Sequence, residues 1–178
     1  PKNYDRLIEI YEALAAHGYR EVGQEYLQNV LDTAKQLDAY DSGRIYYYLG
    51  EYQKAYLALD EARDKGGADS YLYLGRAYAA TGDYNYASSV YNNYLSKQGP
   101  NAEIYNELGL CDQNALAAFQ AGKQIEGNSL MQTLCFNEIV AYEYLEDYQQ
   151  AEVLMNAYLQ NYPDDQTAIR EQQFLSTR

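Results

Sequence analysis

Three side chains in this sequence are of types that often carry out chemistry, namely His17, Cys111 and Cys135. A catalytic histidine needs a nucleophilic serine or cysteine beside it, and none lies near His17 in its own stretch of chain. One histidine cannot hold a metal ion alone, and two cysteines are too few for a disulfide framework or a structural zinc site. We expect the two cysteines to be small, buried hydrophobic residues rather than nucleophiles.

Carboxylate pairs such as Asp38 with Asp41 could act as general acid and base. However, the 178-residue chain has 26 acidic and 13 basic residues and a net charge of −13, so such pairs are expected on a solvated surface. The pair Gly66-Gly67 lacks the spacing of a phosphate-binding loop. The sequence therefore predicts a protein that is not an enzyme, with no catalytic residue, metal site or cofactor.

The negative charge also narrows the possible partners, because it repels nucleic acids and anionic lipid headgroups. No stretch approaches 18 consecutive apolar residues, and the chain begins Pro1-Lys2-Asn3 without a visible leader. We therefore expect no nucleic-acid partner and no membrane insertion by this chain. Its location stays open between the cytoplasm and a soluble domain tethered at a bacterial cell envelope.

The elements that position these side chains are repeated along the sequence. The segment from Gly50 to Ala55 recurs 32 positions later as Gly82 to Ala87, and 32 positions earlier at Gly18. Further copies surround Ala115 and Ala151, so five copies are present. Each has apolar residues at helical spacing on both sides of a turn, and in three copies this turn contains glycine, which predicts two helices joined by a left-handed residue.

This pattern resembles the tetratricopeptide repeat (TPR) family. The residues that match it best, between Ala68 and Asn101, are Tyr71, Leu74, Gly75, Tyr78, Gly82, Tyr84, Ala87, Tyr91 and Leu95. Pro100 and Pro163 stand where the second helix of a repeat ends. The resemblance implies an all-α, right-handed α-solenoid of five helical hairpins and a C-terminal capping helix.

The repeats predict one array over residues 1–178. Its copies span 4–35, 36–67, 68–101, 102–131 and 132–163, and residues 164–178 form the capping helix. In the fourth copy, Gly109 and Ala115 are six residues apart, whereas Gly43 and Ala55 are twelve apart. Either this hairpin is short, or turn residues are missing from the sequence. In both cases we expect it to be the irregular part of the array.

The TPR resemblance implies that the first helices line a concave groove. The expected groove residues are Tyr40, Arg44, Tyr47, Tyr48, Leu72, Arg76, Asn106, Phe136, Val140 and Tyr144. Arg44 and Arg76 occupy the same position in consecutive copies and are expected to receive a carboxylate or phosphate, and the aromatic residues add amphipathic contact surface. The Lys/Asn clamp with which some TPR proteins hold a C-terminal carboxylate is absent.

Two functions agree with these features. The first is a non-enzymatic scaffold that binds a protein or peptide segment, with a local acidic group, in the groove. The alternative is a structural module that self-associates or stacks through its ends or its convex face within a larger protein. Exposed aromatic residues should concentrate on one face in the first case and at an end or on the outside in the second.

Overall fold

The computed structural model describes residues 4–111 and 115–178, and these residues form eleven α-helices and no β-strand. The helices are α1 (Tyr4–Ala16), α2 (Arg20–Thr33), α3 (Ala39–Tyr48), α4 (Tyr52–Glu61), α5 (Ala68–Ala80), α6 (Tyr84–Gln98), α7 (Ala102–Cys111), α8 (Ala115–Lys123), α9 (Met131–Tyr144), α10 (Tyr148–Asn161) and α11 (Gln166–Leu175). The predicted all-α class is confirmed, including the final helix after Pro163.

The chain divides into two compact units, Pro1–Val90 (unit 1) and Tyr91–Arg178 (unit 2), with the boundary inside α6. In unit 1, α1 packs with α2, α3 packs with α4, and α5 packs on α4. In unit 2, α7 packs with α8, α8 with α9, α9 with α10, and α10 with α11. Successive helices therefore form packed pairs, as the repeats predict. The single continuous array stays a prediction.

The turns inside the hairpins share one backbone conformation. Gly18, Gly50 and Gly82 have φ angles of 84°, 79° and 84°, and the next amide donates to a carbonyl five residues earlier, as in Glu51 N to Tyr46 O at 2.9 Å. This hydrogen bond closes the end of the first helix of each hairpin. The fifth copy uses the same turn, but its left-handed residue is Glu146, with φ 59°.

Close contact between the two helices of a hairpin depends on glycine. A Cβ atom on Gly43 would lie 2.5 Å from Leu59 Cγ, and one on Gly109 would lie 2.3 Å from Phe119 Cε1. Leu59 and Phe119 each follow the repeat alanine by four residues, so the glycine meets this large side chain rather than the alanine itself. In the first hairpin Tyr11 of α1 stands in the glycine position and Gly23 of α2 in the alanine position, and a Cβ on Gly23 would lie 2.8 Å from Tyr11 Cδ2.

The fourth hairpin has short helices. Helix α7 continues for two residues after Gly109, whereas α3 continues for five after Gly43. Helix α8 begins at Ala115, whereas α4 begins three residues before the equivalent Ala55. Within the described residues, each helix of this hairpin is therefore three residues shorter on the side of the turn, a rise of about 4.5 Å. Whether further turn residues belong between Cys111 and Ala115 lies outside the described residues.

Candidate binding faces of the two units

Four tyrosines from three helices cluster in unit 1, and we call them the tyrosine face: Tyr11 of α1, Tyr47 and Tyr48 of α3, and Tyr73 of α5. The ring centroids of Tyr11 and Tyr48 are 4.8 Å apart, and Tyr73 lies 5.5 Å from Tyr47 and 5.8 Å from Tyr48. Pairs of aromatic rings prefer tilted and edge-on arrangements of this kind. Of the expected groove residues, Tyr47 and Tyr48 are thus brought together.

The hydroxyl of Tyr48 connects the helices of this cluster. It donates a hydrogen bond to Glu12 Oε1 of α1 and lies 2.9 Å from the hydroxyl of Tyr73. Burial and the hydrogen bond to Glu12 raise the pKa of Tyr48 above its ordinary value. Tyr48 therefore stays neutral and acts as a donor at physiological pH, which fixes the orientation of its ring.

Arg44 is 5% exposed and is paired within the fold. Its guanidinium donates to Asp5 Oδ1 of α1 at 2.7 Å and to Asp41 Oδ1 at 2.5 Å, and its Cζ lies 4.2 Å from the centroid of the Tyr40 ring. Burial alone would lower the pKa of Arg44, but the hydrogen bonds with Asp41 and Asp5 raise it above its usual value. The side chain thus joins α3 to α1, and a role in binding a ligand stays a prediction.

The two other expected residues of unit 1 lie on α5. Leu72 is 2% exposed and belongs to the core, which leaves almost none of its side chain for a ligand. Arg76 is half-buried and lies near Tyr73. Burial raises the pKa of the Tyr73 hydroxyl, and the charge of Arg76 reduces that rise slightly. The repeat period placed both residues on the correct helix but could not separate the exposed from the buried side of that helix.

A basic residue that the sequence analysis missed lies beside the tyrosine face. Arg20, the first residue of α2, lines a cavity of about 280 Å³ with Tyr11, Glu12, Ala15, Tyr47, Tyr48 and Tyr52, and we call this the Arg20 pocket. Among the described residues, no carboxylate forms an ion pair with Arg20. A signal was present in the sequence, since Arg20 stands where the other copies have the turn aromatics Tyr52, Tyr84 and Tyr148.

In unit 2, two of the expected groove residues have partners inside the fold. Asn106 is buried, and its Oδ1 accepts a hydrogen bond from Asn137 Nδ2 at 2.9 Å, which links α7 to α9. Phe136 is half-buried and packs edge-on against Tyr158 of α10, with ring centroids 5.7 Å apart. Both side chains therefore contribute to packing as well as to this face of the unit.

The remaining two expected residues, Val140 and Tyr144, line a cavity of about 440 Å³ that we call the α9 pocket. The other large side chains of its lining are Leu110, Leu116, Phe119 and Leu145. Tyr144 is 87% exposed, and Leu110 and Leu145 are 57% and 63% exposed. The pocket is therefore an apolar depression with exposed apolar residues around it.

The residues considered for chemistry are dispersed. His17 is exposed and its Nδ1 lies 2.8 Å from the carbonyl oxygen of Ala13. Both cysteines are half-buried, and burial raises the pKa of the Cys135 thiol, which favours its neutral form. Within the described ranges, no three His, Cys, Asp or Glu side chains are grouped so that they could hold a metal ion. The helices at residues 4–111 and 115–178 include none with the length and apolar character needed to cross a membrane.

Comparison with known proteins identifies the fold. No protein-family model matches the sequence, and no curated protein matches it. The structure is similar to the crystal structure of a thermophilic TPR protein of Thermus thermophilus, with a TM-score of 0.73 over 99% of this chain and 100% of that one. At 16% sequence identity the likeness concerns the fold. Together with the packed helix pairs and the glycine turns, it shows that this chain has the tetratricopeptide repeat fold.

Proposed function

We propose that the protein is a non-enzymatic scaffold that binds protein or peptide segments on the face formed by the first helices of its hairpins. The observation that carries this proposal is the Arg20 pocket, where Arg20, which has no ion pair in the part of the chain that the structure describes, lies among four tyrosines. Tyrosine rings offer a large amphipathic contact area at a small cost in side-chain entropy, and arginine and tyrosine are both enriched at the centres of protein interfaces.

The ligand of unit 1 presents a local acidic group to Arg20. Arg44 already neutralises Asp5 and Asp41, so Arg20 is the more available partner for a carboxylate. Because the chain has a net charge of −13, an acidic ligand is repelled at long range, and the acidic group has to be local within a neutral or basic segment. The hydroxyl of Tyr48 adds little to the binding of an acidic group, since it already donates its hydrogen bond to Glu12.

The test is the capture of binding partners from native extract by the immobilised chain, followed by titration of a captured partner. We expect Arg20→Gln to weaken binding by about 1 to 3 kcal/mol if the arginine makes a charge-assisted hydrogen bond. Lys54→Gln is the matched control, because Lys54 is exposed on the next hairpin and its described contacts, with Glu51 and the Tyr46 ring, lie within that hairpin. Equal loss in both variants, or none in either, would contradict the assignment to this pocket.

One observation favours the alternative of assembly through an end. Tyr19, Val22 and Tyr26 are all exposed and recur at intervals of three and four residues, so they form an apolar stripe along the first hairpin. Self-association through this stripe would show as a concentration-dependent mass in sedimentation that Tyr19→Ser with Tyr26→Ser removes. A monomer at all concentrations would exclude this second function.

A further inference from the structure

Helix α9 is longer, in the numbering of its copy, than the described part of α7. Helix α7 is described to the tenth residue of its copy, Cys111, whereas α9 reaches the thirteenth residue of its own, Tyr144. The last three residues of α9, almost one turn, therefore have no counterpart in the described part of α7.

The equivalent residue of α3, Tyr48, differs from Tyr144 in its exposure. Tyr48 is also the thirteenth residue of its copy, and the preceding helix α1 reaches that level. Tyr48 is half-buried against Tyr11 of α1, with ring centroids 4.8 Å apart. Tyr144 is 87% exposed. Equivalent tyrosines are thus covered by a neighbouring helix at α3 and exposed at the end of α9.

The α9 pocket lies at this place, and its size suits a side chain of a partner. Its volume of about 440 Å³ falls within the range of about 300 to 1,000 Å³ that is typical of ligand pockets. Phe119 and Ala141, both buried, form part of its lining, and exposed Leu110, Tyr144 and Leu145 stand around it. An apolar group placed here would be removed from water together with three exposed side chains, which favours binding.

The charge around the pocket selects the kind of partner. Residues 91–178 contain 12 acidic and four basic residues, a net charge of −8, and no described Lys or Arg lines the pocket. Glu146 follows Leu145 directly and is exposed in a left-handed conformation, at the turn position where three other copies have glycine. An acidic residue thus follows the lining residue Leu145 directly, at a position where glycine would be less strained.

We propose that the α9 pocket receives a large apolar side chain from a partner segment in which lysine or arginine residues flank that side chain. The proposal deepens the binding function proposed for this protein, because Val140 and Tyr144 belong to the face formed by the first helices. The flanking cations lie near Glu146 and in the negative field of unit 2, which attracts them and speeds association. A second copy of the same chain is disfavoured as the occupant by the repulsion between two chains that each have a net charge of −13.

The experiment compares three fluorescein-labelled peptides by fluorescence anisotropy with the full chain at about physiological ionic strength. The basic peptide has a Leu-Phe core flanked by two lysines on each side, the acidic peptide has glutamates in place of the lysines, and the serine peptide has Ser-Ser in place of the core. We expect the basic peptide to bind at least tenfold more tightly than either of the others. Stronger salt should weaken its binding, because the attraction between exposed charges is screened.

Two pairs of substitutions locate the site. Leu110→Ser with Tyr144→Ser removes exposed side chains of the pocket and should weaken binding of the basic peptide at least tenfold without unfolding the chain. Leu57→Ser with Tyr84→Ser removes a similar exposed pair from unit 1 and should leave binding unchanged. Glu146→Gly should weaken binding two- to fivefold while making the protein more stable, which a purely structural role for Glu146 would not produce.

Several results would overturn the proposal. They are equal binding of the acidic and basic peptides, equal binding of the serine and basic peptides, an unchanged affinity in the Leu110→Ser, Tyr144→Ser variant, and absence of binding by all three peptides. The function proposed for unit 1 fails separately. That function is excluded if the binding of no native partner depends on Arg20. If the binding of a native partner depends on Arg20 but is unaffected by the pocket substitutions, only the proposal for the α9 pocket is excluded.

Discussion

Replacing Gly109 by alanine tests whether the close approach of α7 and α8 requires a glycine at this position. The new Cβ would lie 2.3 Å from Phe119 Cε1 and 2.7 Å from both Cδ1 and Cζ, whereas carbon atoms in contact prefer about 3.5 to 4.0 Å. The Phe119 ring is buried and cannot move away freely. Overpacking of this kind costs about 1 to 3 kcal/mol, and the higher helix propensity of alanine returns at most about 1 kcal/mol. We expect a net loss of about 1 to 2 kcal/mol in the free energy of unfolding.

The contribution of the contact can be separated from the helix propensity by a double-mutant cycle. Phe119→Leu alone leaves a cavity, but it also removes the ring atoms that the alanine would meet, so the two substitutions together should be less harmful than their sum by about 1 kcal/mol. Gly122→Ala is the control within the same hairpin. Its Cβ would lie 3.1 Å from the end of the Leu134 side chain and 3.2 Å from Tyr105 Cβ, which calls for much smaller shifts.

The assay is urea unfolding followed by circular dichroism, with amide hydrogen exchange in α8 as a local measurement. Local exchange is needed because repeat arrays can open in parts. If Gly109→Ala and Gly122→Ala have the same stability, or if the cycle shows no coupling with Phe119, the contact between Gly109 and Phe119 does not hold the hairpin together and the reasoning is refuted.

Three further predictions concern stability. Burial and the neighbouring Glu171 raise the pKa of Glu143 to about 6, so between roughly pH 4.5 and 6 the folded state binds more protons than the unfolded state and stability falls as pH rises. Glu143→Gln should raise the melting temperature at pH 7 to 8 and flatten the dependence of stability on pH. An unchanged pH profile of the melting temperature would contradict this prediction. Glu146→Gly should increase the free energy of unfolding by about 1 kcal/mol, because it removes the strain of a left-handed residue that is not glycine. If the φ of 59° is unstrained, thermal unfolding will show a lower melting temperature for the variant. Asp165→Ala should lower the free energy of unfolding by about 1 to 2 kcal/mol, since Asp165 accepts hydrogen bonds from the amides of Thr167 and Ala168 and from the Tyr158 hydroxyl. Asp164→Ala is the control, and equal melting temperatures of the two variants would argue against a capping role for Asp165.

The helices and turns could be predicted because they depend on local sequence. Apolar spacing within each copy sets the buried side of a helix, and Gly18, Gly50 and Gly82 mark the left-handed turn residues directly. Even the unusual Glu146 follows from the alignment of copies, since it falls in the glycine position of the fifth one. Local conformation of this kind repeats with the sequence.

The candidate site was harder to predict because contacts between copies do not follow the period. Arg44 and Arg76 occupy equivalent positions, but the period does not predict that Arg44 pairs with Asp5, a residue 39 positions away in the first copy. A buried acid, Glu138, was likewise not foreseen. It accepts hydrogen bonds from Lys123 and from Gln120 of α8, a pairing that only the packing of α8 on α9 creates.

The exchanged sizes of Tyr11 and Gly23 have a consequence for the engineering of this protein. A chimaera that joined α1 to α4 would oppose Tyr11 with Ala55, although a Cβ at the equivalent Gly23 would already lie 2.8 Å from Tyr11 Cδ2. The reverse chimaera of α3 with α2 would oppose Gly43 with Gly23 and leave less side-chain volume in the contact than either hairpin has now. Single helices therefore cannot be shuffled between these copies, and a designer who extends, shortens or recombines the chain has to transfer whole hairpins.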